Sequence, residues 1–513
     1  MNTLLLLLTV YRMIVIPVQF EDRAFDTTPE QQQDLVAAAA AYFNRQYDAA
    51  GQFRFDLAPA VTLSHPTSWY GANYSDRKDI RIHEALREAC SQLKGQVDFS
   101  LYDPDGDGTV DQVFLLTAGP AENDGGGESA LWPQQGQLSA RNNAVNINGL
   151  RIDGYGVSPE GKLGLFCHEF GHTLGLEDLY DSSGSIEVQP AGLWGTSLMD
   201  AGCLQPTPPD FTAVEYEQLG LGSCEALTLG SHTLAPLSQE RRYLKAATER
   251  EDEYFLFECR DGALRIYHID PTASLFASLV PADPDAATLA AVSFPQPGFD
   301  SFGSDTPSPF RSRGGRSLGL ALVDFSQGGD GSIRFEVIEP IVLTETSVYQ
   351  DAAVIRWETS PALDGIRGFE FSWSDGQQST TVPLGPGALS YTLEGLSPQT
   401  GYSFSVQVRT SEHDRYSVGG SFITKMYRSG TYPYIYLSGV LRNADSSFPP
   451  GSRIPLRVFN ATDVQEVHWS LDGIPIAPGP DGRYTLERSG TLRARILHRD
   501  GSTETLLKEI LIQ

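Results

Sequence analysis

The chain contains 513 residues, with 65 acidic and 37 basic side chains and a formal net charge of −28. This length predicts about three or four domains rather than one, and so acidic a composition argues against nucleic-acid binding, which needs basic surface. The five cysteines are too few for a disulfide framework, and their odd number leaves at least one thiol free.

The chain opens with an apolar run, Leu4–Leu8. This run resembles the core of a secretory signal peptide, but no basic segment precedes it and no clear small-residue cleavage site follows it. It is also too short to span a membrane. We therefore expect no membrane span, and an extracellular or cell-surface location rests on the resemblances described below.

Helices and strands alternate through the first part of the chain. Thr28 and Gln31 form a predicted capping box around a proline, so a helix is expected from Pro29 to about Gln46. Apolar residues at helical spacing predict a second helix from about Asp76 to Leu93. Apolar runs predict strands at Met13–Phe20, Gln52–Leu57, Ala60–Leu63 and Val113–Leu116, and Ile152–Val157 is expected to be the segment that leads into the next helix.

A glycine-containing loop brings four aspartates close together in sequence: Asp103, Asp105, Asp107 and Asp111. They fall at the first, third, fifth and ninth positions, with Gly108 at the sixth, which matches the front half of a calcium loop. Phe114 replaces the bidentate glutamate of a complete EF-hand. The alternative is an aspartate–glycine turn without an ion, but carboxylates this close would repel one another without a cation. We expect calcium, in a role that braces the catalytic domain.

An H-E-x-x-H motif followed by a glycine and an aspartate is the strongest functional signal. Residues four apart lie on one face of a helix, so His168 and His172 can reach one metal ion together. Gly175 can end the helix, because glycine accepts the left-handed conformation common just past a helix end. The chain can then bring back Asp178 as a third ligand. Three protein ligands and an open fourth position describe a catalytic zinc site, at which Glu169 can hold a water.

Several alternatives to this interpretation can be weighed from the sequence. A bare motif could be a surface helix with solvated histidines, but its apolar flanks predict burial, and buried histidines need partners. Glu177 and Asp181 compete with Asp178 for the place of third ligand, although Asp178 has the better register. Cys167 beside His168 could suggest a thiol ligand. Adjacent helix residues do not face the same way, however, so a packing role is favoured.

The extended motif is followed by a candidate methionine turn at Met199, which is the metzincin pattern. The match is closer still to the immune inhibitor A family, the M6 metallopeptidases, which the sequence resembles in the motif and its flanks and in the aspartate-rich loop. The flanking residues that carry the resemblance are Phe166, Cys167, Phe170, Gly171, Leu179, Tyr180 and Asp181.

This resemblance implies a secreted zinc endopeptidase whose catalytic domain has an α+β, metzincin-like fold. By it, His168, His172 and Asp178 are zinc ligands and Glu169 is the general base. Met199 would lie beneath the metal as a packing residue. Other metzincins usually have histidine as the third ligand, so Asp178 agrees with the M6 family and departs from the wider clan. Metzincins also pair an edge strand with extended substrate near the zinc helix.

The peptidase domain is expected to cover residues 1–225 and to end after a short helix at Thr212–Leu219. Strand-like alternation predicts a β-rich domain at residues 226–340, associated with the catalytic core. Within it, His268 and Asp270 could bind a second metal, but a hydrogen-bonded pair at a strand end is the favoured reading.

Two β-sandwich modules are predicted to follow. Residues 341–426 resemble a fibronectin type III domain, with Trp357 on an early strand and Tyr402 in a tyrosine-corner sequence. Residues 427–513 show evenly spaced strands and resemble an immunoglobulin-like module. Neither carries a cluster of chemically reactive residues, so spacing or docking is their expected role.

The sequence therefore predicts a zinc endopeptidase that acts on protein or peptide substrates. One alternative is an adhesin that uses an inactive peptidase fold as a scaffold, but it predicts damage to the motif, and every expected residue is present. A second alternative keeps the zinc and takes host glycoproteins as targets, with glycan binding by the C-terminal modules.

Overall fold

The computed structural model describes residues 10–75, 77–180, 192–349, 351–411, 414–425, 433–437, 439–443 and 447–513. The apolar run Leu4–Leu8 and the competing carboxylate Asp181 lie outside these ranges. The chain is multidomain and rich in β-sheet. It divides into two compact units, one formed by Met1–Ser301, Arg311–Arg316 and Val323–Val337, and the other by Phe302–Phe310, Ser317–Leu322 and Ile338–Gln513. Across the described residues, no helix is long and apolar enough to cross a membrane.

The early strands of the first unit are β1 (Tyr11–Gln19), β2 (Phe53–Leu57), β3 (Val61–Thr62), β4 (Thr109–Val110), β5 (Val113–Thr117), β6 (Gln134–Gln137), β7 (Val145–Ile147), β8 (Leu150–Ile152) and β9 (Gly154–Pro159). The central sheet has the order β2-β1-β5-β9-β6, with β3 beside β1. Its inner strands are parallel, whereas β6 runs antiparallel to β9. β1 and β5 are almost continuously apolar because both faces of a parallel sheet are covered.

The helices of the first unit are α1 (Pro29–Tyr47), α2 (Thr67–Tyr70), α3 (Ile82–Gln92), α4 (Leu163–Leu174), α5 (Ala213–Leu219) and α6 (Leu237–Glu240). The expected capping box is present at α1, where the Thr28 side chain accepts from the Gln31 backbone and the Gln31 side chain accepts in return. α3 begins later than the sequence predicted. Residues 79–81 form a turn instead, in which Asp79 has a φ of 46°.

Aromatic packing holds α4 against the central sheet. The ring of Phe166 lies 4.1 Å from that of Phe114 on β5. The ring of Phe170 lies 4.8 Å from those of Phe43 on α1 and Phe55 on β2. All five side chains belong to one buried core, so the face of α4 that points away from the sheet is the one left to line a cleft.

The remaining strands of this region are β10 (Ser223–Ala226), β11 (Gly230–Leu234), β12 (Arg242–Ala247), β13 (Tyr254–Arg260), β14 (Ala263–Ile269), β15 (Ala277–Leu279), β16 (Ala321–Gln327) and β17 (Ile333–Ile338). They form a sheet of order β10-β12-β13-β14-β15 and a smaller one of order β11-β17-β16. The domain boundaries expected at residues 225, 340 and 426 stay predictions.

The second unit contains a seven-stranded arrangement between residues 341 and 423. Its strands are β18 (Ile341–Val348), β19 (Ala352–Thr359), β20 (Gly368–Ser374), β21 (Ser379–Leu384), β22 (Ser390–Glu394), β23 (Gly401–Arg409) and β24 (Arg415–Ile423). They form two sheets, β18-β19-β22 and β21-β20-β23-β24. Trp357 is buried, and the Tyr402 hydroxyl accepts a 2.9 Å hydrogen bond from the Ser397 backbone, which confirms the expected tyrosine corner.

The last strands are β25 (Tyr434–Tyr436), β26 (Arg453–Pro455), β27 (Arg457–Phe459), β28 (Val464–Leu471), β29 (Ile474–Ile476), β30 (Arg483–Thr485), β31 (Gly490–His498) and β32 (Thr503–Ile510). The largest sheet among them has the order β29-β28-β31-β32. Its inward side chains, including Trp469 and Leu492, pack with Ile454 in a separate core.

Candidate metal centre

Three side chains converge at the open face of α4. His168 and His172 lie one helical turn apart, and their Nε2 atoms are 3.2 Å from each other. The loop after α4 brings the Asp178 Oδ1 atom to 3.3 Å from both nitrogens. Gly175 ends the helix with a φ of 102°, as the sequence predicted, and so permits the sharp return of the chain.

The outer nitrogen of each imidazole is occupied by a backbone carbonyl. His168 Nδ1 lies 3.1 Å from the Leu198 oxygen, and His172 Nδ1 lies 2.8 Å from the Leu176 oxygen. A carbonyl can only accept, so each neutral ring carries its proton on Nδ1 and turns an unprotonated Nε2 toward the centre. The buried Asp178 Oδ1 has no hydrogen-bond donor among the described residues. Three lone pairs therefore face one point.

The separations of these atoms fit a metal ion. A tetrahedral zinc with bonds of about 2.0–2.1 Å separates its ligands by roughly 3.3 Å, and the structure gives 3.2 and 3.3 Å. The electrostatics also call for a cation. Burial alone lowers the pKa of His168, but the contact with Asp178 and the neighbouring Glu169 raise it well above its ordinary value. The donor set of two imidazoles and one carboxylate suits zinc.

Glu169 points into the same site from the next position on α4. Its side chain is almost fully buried, and it borders the cleft together with the two histidines. Burial raises the pKa of Glu169 to about 7; the two histidines oppose this effect and Asp178 adds to it. A carboxylate that exchanges a proton near neutral pH can act as a general base.

Met199 lies directly beneath α4 and is fully buried. A Cβ at Gly171, between the two histidines, would come within 3.0 Å of the Met199 sulfur, so the glycine allows this close approach. The Met199 carbonyl accepts a 2.8 Å hydrogen bond from the Leu179 backbone, which ties the loop of Asp178 to the methionine turn.

Glu215 on α5 anchors that turn, and the sequence analysis did not single it out. One of its oxygens accepts from the Ser197 hydroxyl and from the Leu198 backbone at 3.1 Å. The other accepts from the Thr212 hydroxyl and from the Thr212 backbone at 2.9 Å. The T-x-x-E capping-box pattern at Thr212 was the available signal.

A cleft of about 180 Å³ lies over the three converging residues. Its wall is formed by residues 132–135, which include the start of β6, and by Tyr180, whose ring stacks on His168 at 6.2 Å. β6 is the last strand of the central sheet, and its outer side pairs with no other strand in the described part of the chain. Extended peptide could therefore reach it.

The alternative metal ligands considered from the sequence do not join this group in the described residues. Glu177 is exposed and does not join the group of His168, His172 and Asp178, whereas Asp181 lies outside the described residues. His268 Nε2 lies 2.8 Å from Glu253, and Asp270 pairs with other residues, so these two are hydrogen-bonded but not to each other.

In the aspartate-rich loop, Asp103, Asp105 and Asp107 can place one oxygen each within 4.8 Å of the others. Asp111 is not part of that group. Burial is the main cause that raises the pKa of Asp111 to about 6, and the charges of the other three aspartates add to it. Backbone amides also occupy these carboxylates: Gly108 donates to Asp103 at 3.0 Å, and Thr109 to Asp107 at 2.7 Å.

Known proteins share the first part of the chain. Residues 17–216 match the family model described as immune inhibitor A peptidase M6, catalytic domain. The pre-pro-metalloprotease PrtV of Vibrio cholerae serotype O1 (strain M66-2) is 28% identical over 213 residues, which cover 34% of this chain and 22% of that protein. Immune inhibitor A of Bacillus thuringiensis subsp. alesti is 28% identical over 194 residues, 31% of this chain and 28% of that protein.

The chain thus spans about a quarter of the length of these curated relatives. Among solved structures, the fn3 domain of human collagen alpha-1(XX) chain is 24% identical, covers 18% of this chain and 83% of that one, and has a TM-score of 0.15. A redesigned β-sandwich protein is also 24% identical, covers 18% and 92%, and has a TM-score of 0.16. Such scores assign no fold.

The family match covers both the helix of His168 and the turn of Met199, and the relatives named above are a metalloprotease and an immune inhibitor A. Residues 17–216 are therefore similar to the catalytic domain of the M6 peptidases, the family of immune inhibitor A.

Proposed function

We propose that this chain is a secreted zinc endopeptidase whose zinc is held by His168, His172 and Asp178. The observation that carries the proposal is the convergence of three lone pairs at 3.2–3.3 Å, with both histidine Nδ1 atoms turned to carbonyls. A metzincin-like fold is part of the proposal, supported by Met199 beneath α4 and by the antiparallel edge strand β6.

Glu169 is the general base in this proposal. Zinc, when bound, would supply Lewis-acid chemistry that polarises the scissile carbonyl and acidifies water. Glu169 takes the proton of the attacking water on its carboxylate and then gives it to the leaving amine. Its buried position supports this role, because a pKa of about 7 lets it accept and return a proton near neutral pH.

Protein and peptide substrates would bind in extended form along β6. Its outer side is open in the described part of the chain, and an added antiparallel strand would continue the sheet past the cleft. Backbone pairing of this kind recognises the peptide chain itself, and side-chain preference would then depend on the residues of the cleft wall.

We also propose that calcium binds Asp103, Asp105 and Asp107, with Asp111 close by, and braces the catalytic domain. Support comes from the three converging oxygens and from the raised pKa of Asp111. The amides that already donate to these carboxylates support the alternative of an ion-free turn. The effect of calcium on the melting temperature separates the two.

The experiment is zinc content and casein cleavage, measured on wild type, Glu169→Gln and His172→Ala. We expect Glu169→Gln to keep zinc and to lose about a thousandfold in turnover, because only the proton carrier changes. His172→Ala should lose the zinc itself. Cleavage by a pure Glu169→Gln preparation at the wild-type rate would refute the assignment of the base, and wild type that binds no zinc would refute the site.

A further inference from the structure

A buried carboxylate, Asp79, lies behind the cleft wall, defined here as residues 132–135. Asp79 is fully buried. Its Oδ2 atom accepts a 2.9 Å hydrogen bond from the Trp132 backbone and a second bond from the side-chain amide of Gln134. The two donors lie more than fifty residues away in sequence, so this carboxylate joins the turn before α3 to the wall of the metal cleft.

The backbone of Asp79 is itself held firmly. Its N–H donates to the Asn73 side chain at 3.0 Å, and its carbonyl accepts from the Ile82 backbone at 3.0 Å. Its φ of 46° is in the left-handed region, which costs free energy for a residue other than glycine. Strain of this kind persists where the surrounding contacts enforce it, and here they aim the carboxylate at the wall.

Gln134 passes the constraint on to the sheet. Its amide nitrogen donates to Asp79, which leaves its oxygen to accept a 2.9 Å bond from the Tyr155 hydroxyl on β9. Lys78, the neighbour of Asp79, places its ammonium 4.9 Å from the centre of the Trp132 ring and pairs with Glu122. Adjacent residues thus hold both the backbone and the ring of Trp132.

We propose that Asp79 is a positioning residue for substrate binding, which fixes the cleft wall and the start of β6 so that an extended peptide can pair with the strand. The inference rests on the proposed peptidase function. Asp79 does not border the cleft, so it acts only through Trp132 and Gln134. Loss of its acceptor should weaken the binding of peptide and leave the metal and the proton transfer intact.

The burial of the Asp79 carboxyl group costs stability, which is consistent with a role in positioning the wall. It raises the pKa of Asp79 to about 7, although the Trp132 amide and Lys78 lower it and Glu122 adds to the rise. Its second oxygen, Oδ1, is buried without a hydrogen-bond partner among the described residues. A leucine of similar size would avoid both costs, but it could accept no bond from the wall.

The test compares Asp79→Ala, Asp79→Asn and a control, Glu88→Ala, in the full zinc-loaded chain. Glu88 lies on α3 and accepts bonds from Ser64 and Tyr70, away from the wall. For a fluorogenic octapeptide, we expect Asp79→Ala to raise KM about tenfold, the equivalent of about 1.4 kcal/mol, with kcat and zinc content unchanged. Asp79→Asn should restore KM, because asparagine keeps an acceptor and tolerates positive φ. Glu88→Ala should alter only the unfolding midpoint.

An unchanged KM in folded Asp79→Ala would overturn the proposal, as would an equal rise in Glu88→Ala. If Asp79→Ala does not fold, Gln134→Met takes its place, since methionine cannot donate to Asp79. An unchanged KM in Gln134→Met would then also overturn the proposal. Wild type that cleaves no peptide refutes the peptidase function, and this inference falls with it. Wild type that cleaves with a KM insensitive to these changes refutes the inference alone.

Discussion

Glu215 offers the most direct test of how this fold holds the proposed metal ligands. Its carboxylate is fully buried and accepts bonds from Ser197 and Leu198 on one oxygen and from Thr212 twice on the other. The Leu198 carbonyl in turn binds His168 Nδ1. Glu215→Gln keeps the shape and replaces one acceptor oxygen with a donor. The backbone N–H that faced that oxygen then loses its hydrogen bond, whereas the hydroxyl there can rotate and accept instead.

The size of the effect follows from those bonds. A hydrogen bond to a charged group contributes about 1.5–3 kcal/mol, and the bonds that remain lose the charge that strengthens them, so the total loss is about 3–6 kcal/mol. Burial raises the pKa of Glu215 and makes its charge costly, which offsets part of the loss. We expect the free energy of unfolding to fall by about 3 kcal/mol. Changes in groups that orient a metal ligand typically weaken metal binding by about 10–100-fold, and we expect zinc affinity to fall in that range.

Denaturant unfolding of the metal-free chain gives the first quantity, and competition with a chromogenic chelator gives the second. Glu217→Gln is the matched control. Glu217 lies on the same helix and pairs with Lys245 at 2.6 Å and Tyr243 at 2.8 Å, on the side away from the turn. It should lose some stability and keep its zinc affinity. Equal zinc affinity in Glu215→Gln and wild type would refute the argument that this carboxylate orients His168 through the turn.

Three further predictions address pH, calcium and packing. The pKa of Asp79 rises from 3.8 to about 7 on folding. The stability that the protonated Asp79 contributes is therefore fully present below pH 4 and is lost as the pH rises through 7. By linkage, the free energy of unfolding changes by about 4 kcal/mol at most across this range. Asp79→Asn should therefore gain on wild type between pH 5 and pH 8 in urea unfolding, and parallel curves would contradict this. The pKa of Asp111 is also raised, to about 6, so more of this carboxyl is ionised at pH 7 than at pH 5. Calcium should therefore raise the melting temperature more at pH 7 than at pH 5. No effect of calcium at either pH would favour the ion-free turn. A Cβ at Gly164 would lie 2.1 Å from the Cys203 carbonyl oxygen. Gly164→Ala should therefore lower the free energy of unfolding by about 1–3 kcal/mol. A melting temperature equal to that of wild type would show that the backbone at Cys203 can shift without cost.

Local patterns in the sequence accounted for the elements whose causes are local. Helical spacing placed His168 and His172 on one face, Gly175 ended the helix, and the capping box began α1 where expected. The tyrosine corner of Tyr402 was likewise predicted from a short motif. Each of these features depends on residues within about one or two turns of one another, which is the range over which periodicity and capping operate.

Contacts between distant segments decided the rest. The later start of α3 follows from the turn at Asp79, whose bonds to Trp132 and Gln134 span 53 and 55 residues. Two hydrogen bonds join three separate segments: the Leu198 backbone donates to Glu215, and the Leu198 carbonyl bonds to His168 Nδ1. No spacing rule encodes such pairs, because a buried carboxylate takes its donors from whichever backbone the fold brings near. The sequence by itself therefore determined which residues can meet a metal, and only the tertiary structure decided how their rings are oriented and what shapes the cleft beside them.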